Sequence, residues 1–217
     1  MPFEFFNPRR GVTVTHGHLP HWDQEGTAYF ITWRTADSLP KQVWQRWRIE
    51  RQWWLQAHGI DPSWKNWRSE LERLGEEERR EFQPLNQVLE EELDTCHGTC
   101  VLRSPAMAEI VAATLRFEDG AKYRLGGFVV MPNHVHVIAG GLSENTMLQQ
   151  VRSWKRWSAL KINEARGCRG RLWQEESFDH LIRSAASLRK FQLYIANNPT
   201  KAGLKPGEYL LWPGSDG

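Results

Sequence analysis

Residues 131–138 read Met131-Pro132-Asn133-His134-Val135-His136-Val137-Ile138, and the alternation within them decides the fold. Successive side chains of a strand point to opposite faces, so His134 and His136 share one face while Val135 and Val137 share the other. Two imidazoles converging from one face can hold a divalent metal, because imidazole suits several transition metals. Two partly buried, hydrogen-bonded histidines are the other reading of the same pair. Working outward, Tyr123 to Met131 reads as a preceding strand, Pro132-Asn133 as the tight connection, and Gly140-Gly141 as the end of the second strand.

Helical spacing flanks this pair of strands. From Pro105 to about Phe117 the stripe Met107, Ile110, Val111 and Leu115 predicts a helix. Thr146 to Glu164 predicts another, with Met147, Leu148, Val151, Trp154 and Leu160 toward the sheet and Arg152, Lys155, Arg156 and Lys161 largely elsewhere. Thr27 to Arg34 is rich in β-branched and aromatic residues and reads as a first strand. Leu172 to Ile182 reads as an extended segment, and Ser187 to about Asn198 as the last helix. This β-α-β-β-α-β-α order points to an α+β protein with an antiparallel sheet and helices packed on it.

The last helix carries a distinctive tyrosine. Leu188, Phe191 and Ile195 form an apolar stripe, whereas Lys190, Tyr194 and Asn198 lie four residues apart on a different, polar face. Of the four tyrosines, Tyr29 lies within a strand, Tyr123 begins one and Tyr209 lies in the tail. Tyr194 alone is expected on a polar helix face beside basic residues.

Composition bounds the rest. The 217 residues are 40% hydrophobic and 25% charged, with a formal net charge of +2, the profile of an ordinary globular protein. No apolar run approaches a bilayer span, no signal-peptide core is evident, and the expected location is the cytoplasm. Cys96, Cys100 and Cys168 are too few for a disulfide scaffold and read as inert thiols. The charge is unevenly spread: residues 146–205 hold 12 Lys/Arg against 4 Asp/Glu, and residues 68–94 hold 4 against 10. A basic third that contains Tyr194 suits a polyanionic partner.

Residues 1–26, punctuated by proline and glycine, read as an irregular arm. Lys41 to His58 reads as a helix, and 69–94 as one or two acidic helices broken near Gly75 and Pro84. Six of the twelve tryptophans (Trp44, Trp47, Trp53, Trp54, Trp64 and Trp67) fall in this region. They read as the core of a small helical subdomain rather than as base-stacking platforms, since acidic residues follow them.

Taken together, His134-Val135-His136 after Met131-Pro132-Asn133, and Tyr194-Ile195-Ala196-Asn197-Asn198-Pro199-Thr200-Lys201-Ala202-Gly203-Leu204 downstream, resemble the HUH single-tyrosine transposases, specifically the REP-associated tyrosine transposases. Tyr29 to Arg34, Leu172-Trp173-Gln174 and Asp179 to Arg183 sit where that family carries similar runs. The resemblance covers roughly 18–39 and 97–205. It implies a ferredoxin-like HUH nuclease domain (1–39 with 97–205), a helical tryptophan-rich insertion (40–96) and a C-terminal tail (206–217).

The resemblance also implies a chemistry. Tyr194 would be the nucleophile that leaves a 5′-phosphotyrosine and a free 3′-hydroxyl on single-stranded DNA, at hairpin-forming repeats. His134 and His136 would hold Mg²⁺ or Mn²⁺, with Asn198 either a third ligand or merely the cap of its helix. Arg152, Lys155, Arg156, Lys190 and Lys201 would contact the DNA, no membrane is involved, and monomer and homodimer both stay open. Two alternatives remain: a catalytically silent hairpin-DNA-binding protein, and a metal-dependent hydrolase that uses an activated water.

Overall fold

The His-Val-His strand lies at the centre of an antiparallel sheet. The computed structural model describes residues 3–16, 20–63, 67–78, 80–82, 91–92, 94–141, 146–175 and 177–214. Its sheet contains β3 (Tyr29–Arg34), β4 (Arg124–Val130), β5 (His134–Gly140), β6 (Phe178–Leu181) and β7 (Leu210–Trp212), in the order β6-β3-β5-β4-β7. All neighbouring strands are antiparallel. Its helices include α1 (Lys41–Ala57), α2 (Trp67–Arg73), α3 (Pro105–Arg116), α4 (Met147–Ala165) and α5 (Ala185–Lys201). The α+β class expected from the element order is the class observed.

Two compact units divide the chain: Met1–Ala36 with Thr99–Gly217, which contains the sheet, and Asp37–Gly98. In the first, strand alternation separates two apolar clusters. Tyr29, Ile31, Trp33, Val135, Val137 and Ala139 point to one face, where Ala108, Val111, Ala112 and Leu115 of α3 and Met147, Val151, Trp154 and Ile162 of α4 cover them. Phe30, Ile138, Val129 and Met131 point to the other, where Ile195, Leu188, Phe191 and Tyr194 of α5 join Phe3 and Phe5. A sheet buried on both faces needs apolar residues on both, and the continuous burial of β5 reflects this.

The local sequence sets these ends. Pro105 opens α3, where a missing N–H goes unmissed. Thr146 and Gln149 form a reciprocal capping box on α4. The Ser184 hydroxyl accepts from the Ser187 amide at 3.1 Å to start α5. In the β4–β5 connection, the Pro132 carbonyl accepts from Leu102 N–H at 3.0 Å and the Asn133 carbonyl from Thr35 N–H at 2.8 Å. The turn is therefore tied to both its neighbours.

Several sequence expectations are corrected. The arm contains an antiparallel ribbon, β1 (Thr13–His16) with β2 (Pro20–Asp23). The tail contributes β7, which pairs with β4 and stacks Trp212 on Phe128 at 5.2 Å. Leu160 is 54% exposed rather than facing the sheet; six residues beyond Trp154, it lies about 240° round the helix, and Ser158 takes the buried position. Cys96 and Cys100 are disulfide-bonded, each at positive φ, and Cys168 is the free thiol among the described residues.

In the second unit, Trp47 packs with Leu39 and Trp44, while Leu55, Ile60, Trp67 and Phe82 cluster with Trp54. The Arg51 guanidinium lies 4.3 Å from the centre of the Trp67 ring. Trp53 is 75% exposed. Trp64 and the break at Pro84 lie outside the described residues. Among those residues, no helix is long and apolar enough to cross a membrane.

Candidate active site

The register of β3 against β5 places Arg34 opposite His134, Thr32 opposite His136 and Phe30 opposite Ile138. All six point to the face that α5 covers. His134 is 1% exposed and His136 3%, with ring centroids 4.7 Å apart and planes at 77°. Each ring is held through Nδ1: His134 lies 2.7 Å from Asn133 Oδ1, and His136 lies 2.7 Å from Thr32 Oγ1.

Burial strips water from both imidazoles and disfavours their charged forms. It pushes His134 down to about 3; the Asn198 side chain opposes that shift, and the charges of Arg34 and Lys201 add to it. His136 is held well below its ordinary value by burial, then by His134 and Lys201. Both rings are neutral near pH 7, the form that donates a lone pair to a metal.

Helix α5 brings Tyr194 to the same place. The Tyr194 ring stands edge-on to His136 at 5.1 Å and to Phe30 at 5.6 Å. Phe30 stacks on Phe191 at 4.4 Å and on His136 at 5.5 Å, so one side chain of β3 seats both the helix and the histidine. The polar face expected for Lys190, Tyr194 and Asn198 is thereby corrected. Lys190 is exposed, Tyr194 is half-buried among rings, and Asn198 is 2% exposed. Sequence spacing assigned these three to one side, but a tyrosine ring is apolar enough to join the buried stripe.

The alternative of Asn198 as a cap is also resolved. α5 continues through Pro199 to Lys201, with Ala202 as its C-cap, so Asn198 is an interior residue. Proline is tolerated there at the cost of one backbone bond to the Ile195 carbonyl.

The site carries a specific electrostatic demand. Asn198 Oδ1 and His136 Nε2 are buried without a hydrogen-bond partner. With Nδ1 of His134 donating to Asn133 Oδ1, its Nε2 is a lone pair beside the Asn198 amide. A lone pair on His134 Nε2 and a partnerless amide oxygen on Asn198 suit a cation between them. Two imidazole nitrogens and an amide oxygen form a donor set that fits a divalent ion such as Mn²⁺. Among the described residues, no group of three His, Cys, Asp or Glu side chains converges anywhere.

The remaining candidates are dispersed. The charge of Lys201 reaches both histidines. Arg152, Lys155 and Arg156 lie on α4, which packs on the opposite face of the sheet, and Lys155 Nζ donates to the Glu175 carbonyl at 2.7 Å. His180 pairs with Phe30 in register and stacks on Phe191 at 6.2 Å.

The other strand tyrosines are occupied. Tyr123 donates to the Leu115 carbonyl at 2.6 Å and accepts from Trp154 at 3.0 Å, and burial pushes it up to about 12. Burial also raises Tyr29. Sequence reasoning missed Thr32, Asn133 and Arg34 as parts of the site. The alternation of Phe30, Thr32 and Arg34 was visible, but the strand they face was not.

No family model matches the chain, and no curated protein matches it. Among solved structures, the chain is similar to a REP-associated tyrosine transposase bound to a REP hairpin, at 13% identity over 85% of this chain and 73% of that one, with a TM-score of 0.44. It is also similar to a protein from Deinococcus radiodurans R1 assigned as a transposase, at 14% identity over 79% of this chain and 89% of that one, with a TM-score of 0.29.

Proposed function

We propose that this protein is an HUH single-tyrosine transposase that cuts and rejoins single-stranded DNA at hairpin-bearing repeats. The observation that carries this reading is that two polar atoms, His136 Nε2 and Asn198 Oδ1, are buried without a partner where the Tyr194 ring stands against His136. The sheet order supports it: β3, β4, β5 and β6, taken as first to fourth, lie in the order 4-1-3-2 of a ferredoxin-like plan. On this reading 1–39 and 97–205 form the catalytic domain, 40–96 is an insertion, and the chain works in the cytoplasm.

His134, His136 and Asn198 would hold the Mg²⁺ or Mn²⁺ ion, which when bound supplies Lewis-acid polarisation of a phosphate oxygen. The Tyr194 oxygen attacks phosphorus, the bond to the 3′-oxygen breaks, and that oxygen leaves as a protonated 3′-hydroxyl while the phenol gives up its proton. The phosphotyrosine so formed keeps the bond energy, so another 3′-hydroxyl can reverse the step and join strands. Phe30 and Phe191 hold α5 against β3 and keep the tyrosine in register with the histidines. Lys190 and Lys201 on α5 would grip the strand near Tyr194, and Arg152, Lys155 and Arg156 on α4 the more distant part of the hairpin.

The test is covalent capture. A 3′-labelled hairpin strand incubated with the protein and Mn²⁺ is expected to give a denaturant-resistant labelled adduct that maps to Tyr194. Chelator should abolish it. Binding without an adduct would favour the silent DNA-binding alternative, and cleavage without one the water-activating hydrolase.

A further inference from the structure

A neutral imidazole carries one N–H and one lone pair, so a ring that ligates through Nε2 must carry its proton on Nδ1. In this protein the two rings reach that state by different means. Asn133 Oδ1 is only an acceptor, so at 2.7 Å it holds the His134 proton on Nδ1. Thr32 Oγ1, also at 2.7 Å, can either donate to His136 Nδ1 or accept from it. Neither tautomer of His136 finds a partner at Nε2, because that atom is buried without one. The threonine hydroxyl thus leaves the ring free to exchange.

We infer that Asn133 and Thr32 are positioning residues for cation capture: Asn133 presets His134 as a ligand, and Thr32 recruits His136 by turning its hydroxyl from donor to acceptor when the ion arrives. Both are well placed for this. Asn133 is fixed in the β4–β5 turn by the bond from Thr35 N–H to its carbonyl, and Thr32 is the cross-strand partner of His136. Outer partners of this kind typically change metal affinity about 10–100-fold. The inference rests on the metal-dependent reading of the site, and its test separates the two.

The experiment uses the full chain with ¹⁵N-labelled histidine. Long-range ¹H–¹⁵N spectra of the metal-free protein are expected to show His134 as the Nδ1–H tautomer alone and His136 averaged between both. Saturating Mg²⁺ should lock His136 as Nδ1–H. In calorimetric titration with Mn²⁺, Thr32→Val, which keeps the shape and a strand-forming side chain, is expected to weaken binding about 10–100-fold. Thr32→Ala should give the same loss and Thr32→Ser should restore wild-type affinity, which a purely structural role would not produce. Unchanged affinity in Thr32→Val, or a metal-free His134 protonated on Nε2, overturns this inference alone. A wild-type protein that takes up no cation overturns the metal-dependent reading and this inference together.

Discussion

Replacing Asn198 with leucine separates what the fold needs from what the site needs. The Asn198 side chain is buried inside α5 with Oδ1 lacking a donor. A buried polar group left unsatisfied costs about 1–3 kcal/mol, and leucine is better than asparagine in a helix interior by a few tenths of a kcal/mol. Leucine keeps the branching and the number of side-chain heavy atoms, adding only the bulk of its methyl hydrogens, and Ile195 of α5 and Leu204 beyond the helix end belong to the apolar cluster on this face. The metal-free leucine variant is therefore expected to be more stable by about 1–2 kcal/mol. For a chain of this length each kcal/mol moves the midpoint by about 2–4 °C, so Tm should rise by about 2–8 °C. Circular-dichroism melts in EDTA measure this. Repeated with Mn²⁺ at 100 times its Kd, they should show wild type gaining about 2.7 kcal/mol by linkage, while the leucine variant gains far less. A leucine variant less stable than wild type in EDTA would refute the reasoning. That is the outcome an amide turned over, with Nδ2 donating to His134 Nε2, would produce, and such a site makes no demand for a cation.

Four further outcomes are expected. Tyr194→Phe keeps the ring contacts with His136 and Phe30, so its melting midpoint and hairpin affinity should match wild type while adduct formation vanishes in a gel assay. Because both histidines are held below the ordinary 6.5, the unfolded chain binds more protons than the folded one as pH falls below that value, down to about 3 for His134. Metal-free stability should accordingly fall as pH drops through that window, by up to about 1.4 kcal/mol per pH unit for each ring, and denaturant titrations of His136→Phe should show a shallower decline. Gly140→Ala would bring a Cβ within 2.9 Å of Ala28 Cα and Phe3 Cδ1 and should cost about 1–3 kcal/mol in urea unfolding. Lys201→Ala should flatten the log–log salt dependence of short single-strand binding by about 0.7, whereas neutralising Arg152 and Arg156 should flatten it only for strands that carry a hairpin.

What could be read from the sequence was what is local. The alternation through His134 to Ile138 placed β5 and its two faces, and the stripe of α3 matched its buried side. The short edge strand Leu210–Trp212 has no alternation to read, and its partner β4 is far away in the chain. The β1–β2 ribbon lies among prolines and glycines that resemble an irregular arm. α5 runs past Pro199 because packing of its last turn outweighs one missing backbone bond. Asn198 was assigned to a polar face because spacing alone sends polar residues to solvent, and only the assembled sheet shows a reason to bury one. Charge counting likewise found the basic residues of α4 and α5 without showing that the sheet lies between them.

The Thr32–His136 bond joins residues 104 apart in sequence, and this has a consequence for synthesis. At about 5–20 residues per second, β3 leaves the ribosome roughly 5–20 s before the strand that must pair with it. Its other neighbour, β6, emerges later still. For that interval a segment containing Phe30, Ile31 and Trp33 has no sheet partner on either edge, the condition under which strands capture one another between chains. Meanwhile Asp37–Gly98 emerges with apolar clusters of its own and can fold first. Synthesis thus leaves an exposed apolar strand waiting while the helical unit follows it out, before the histidines and the tyrosine have met.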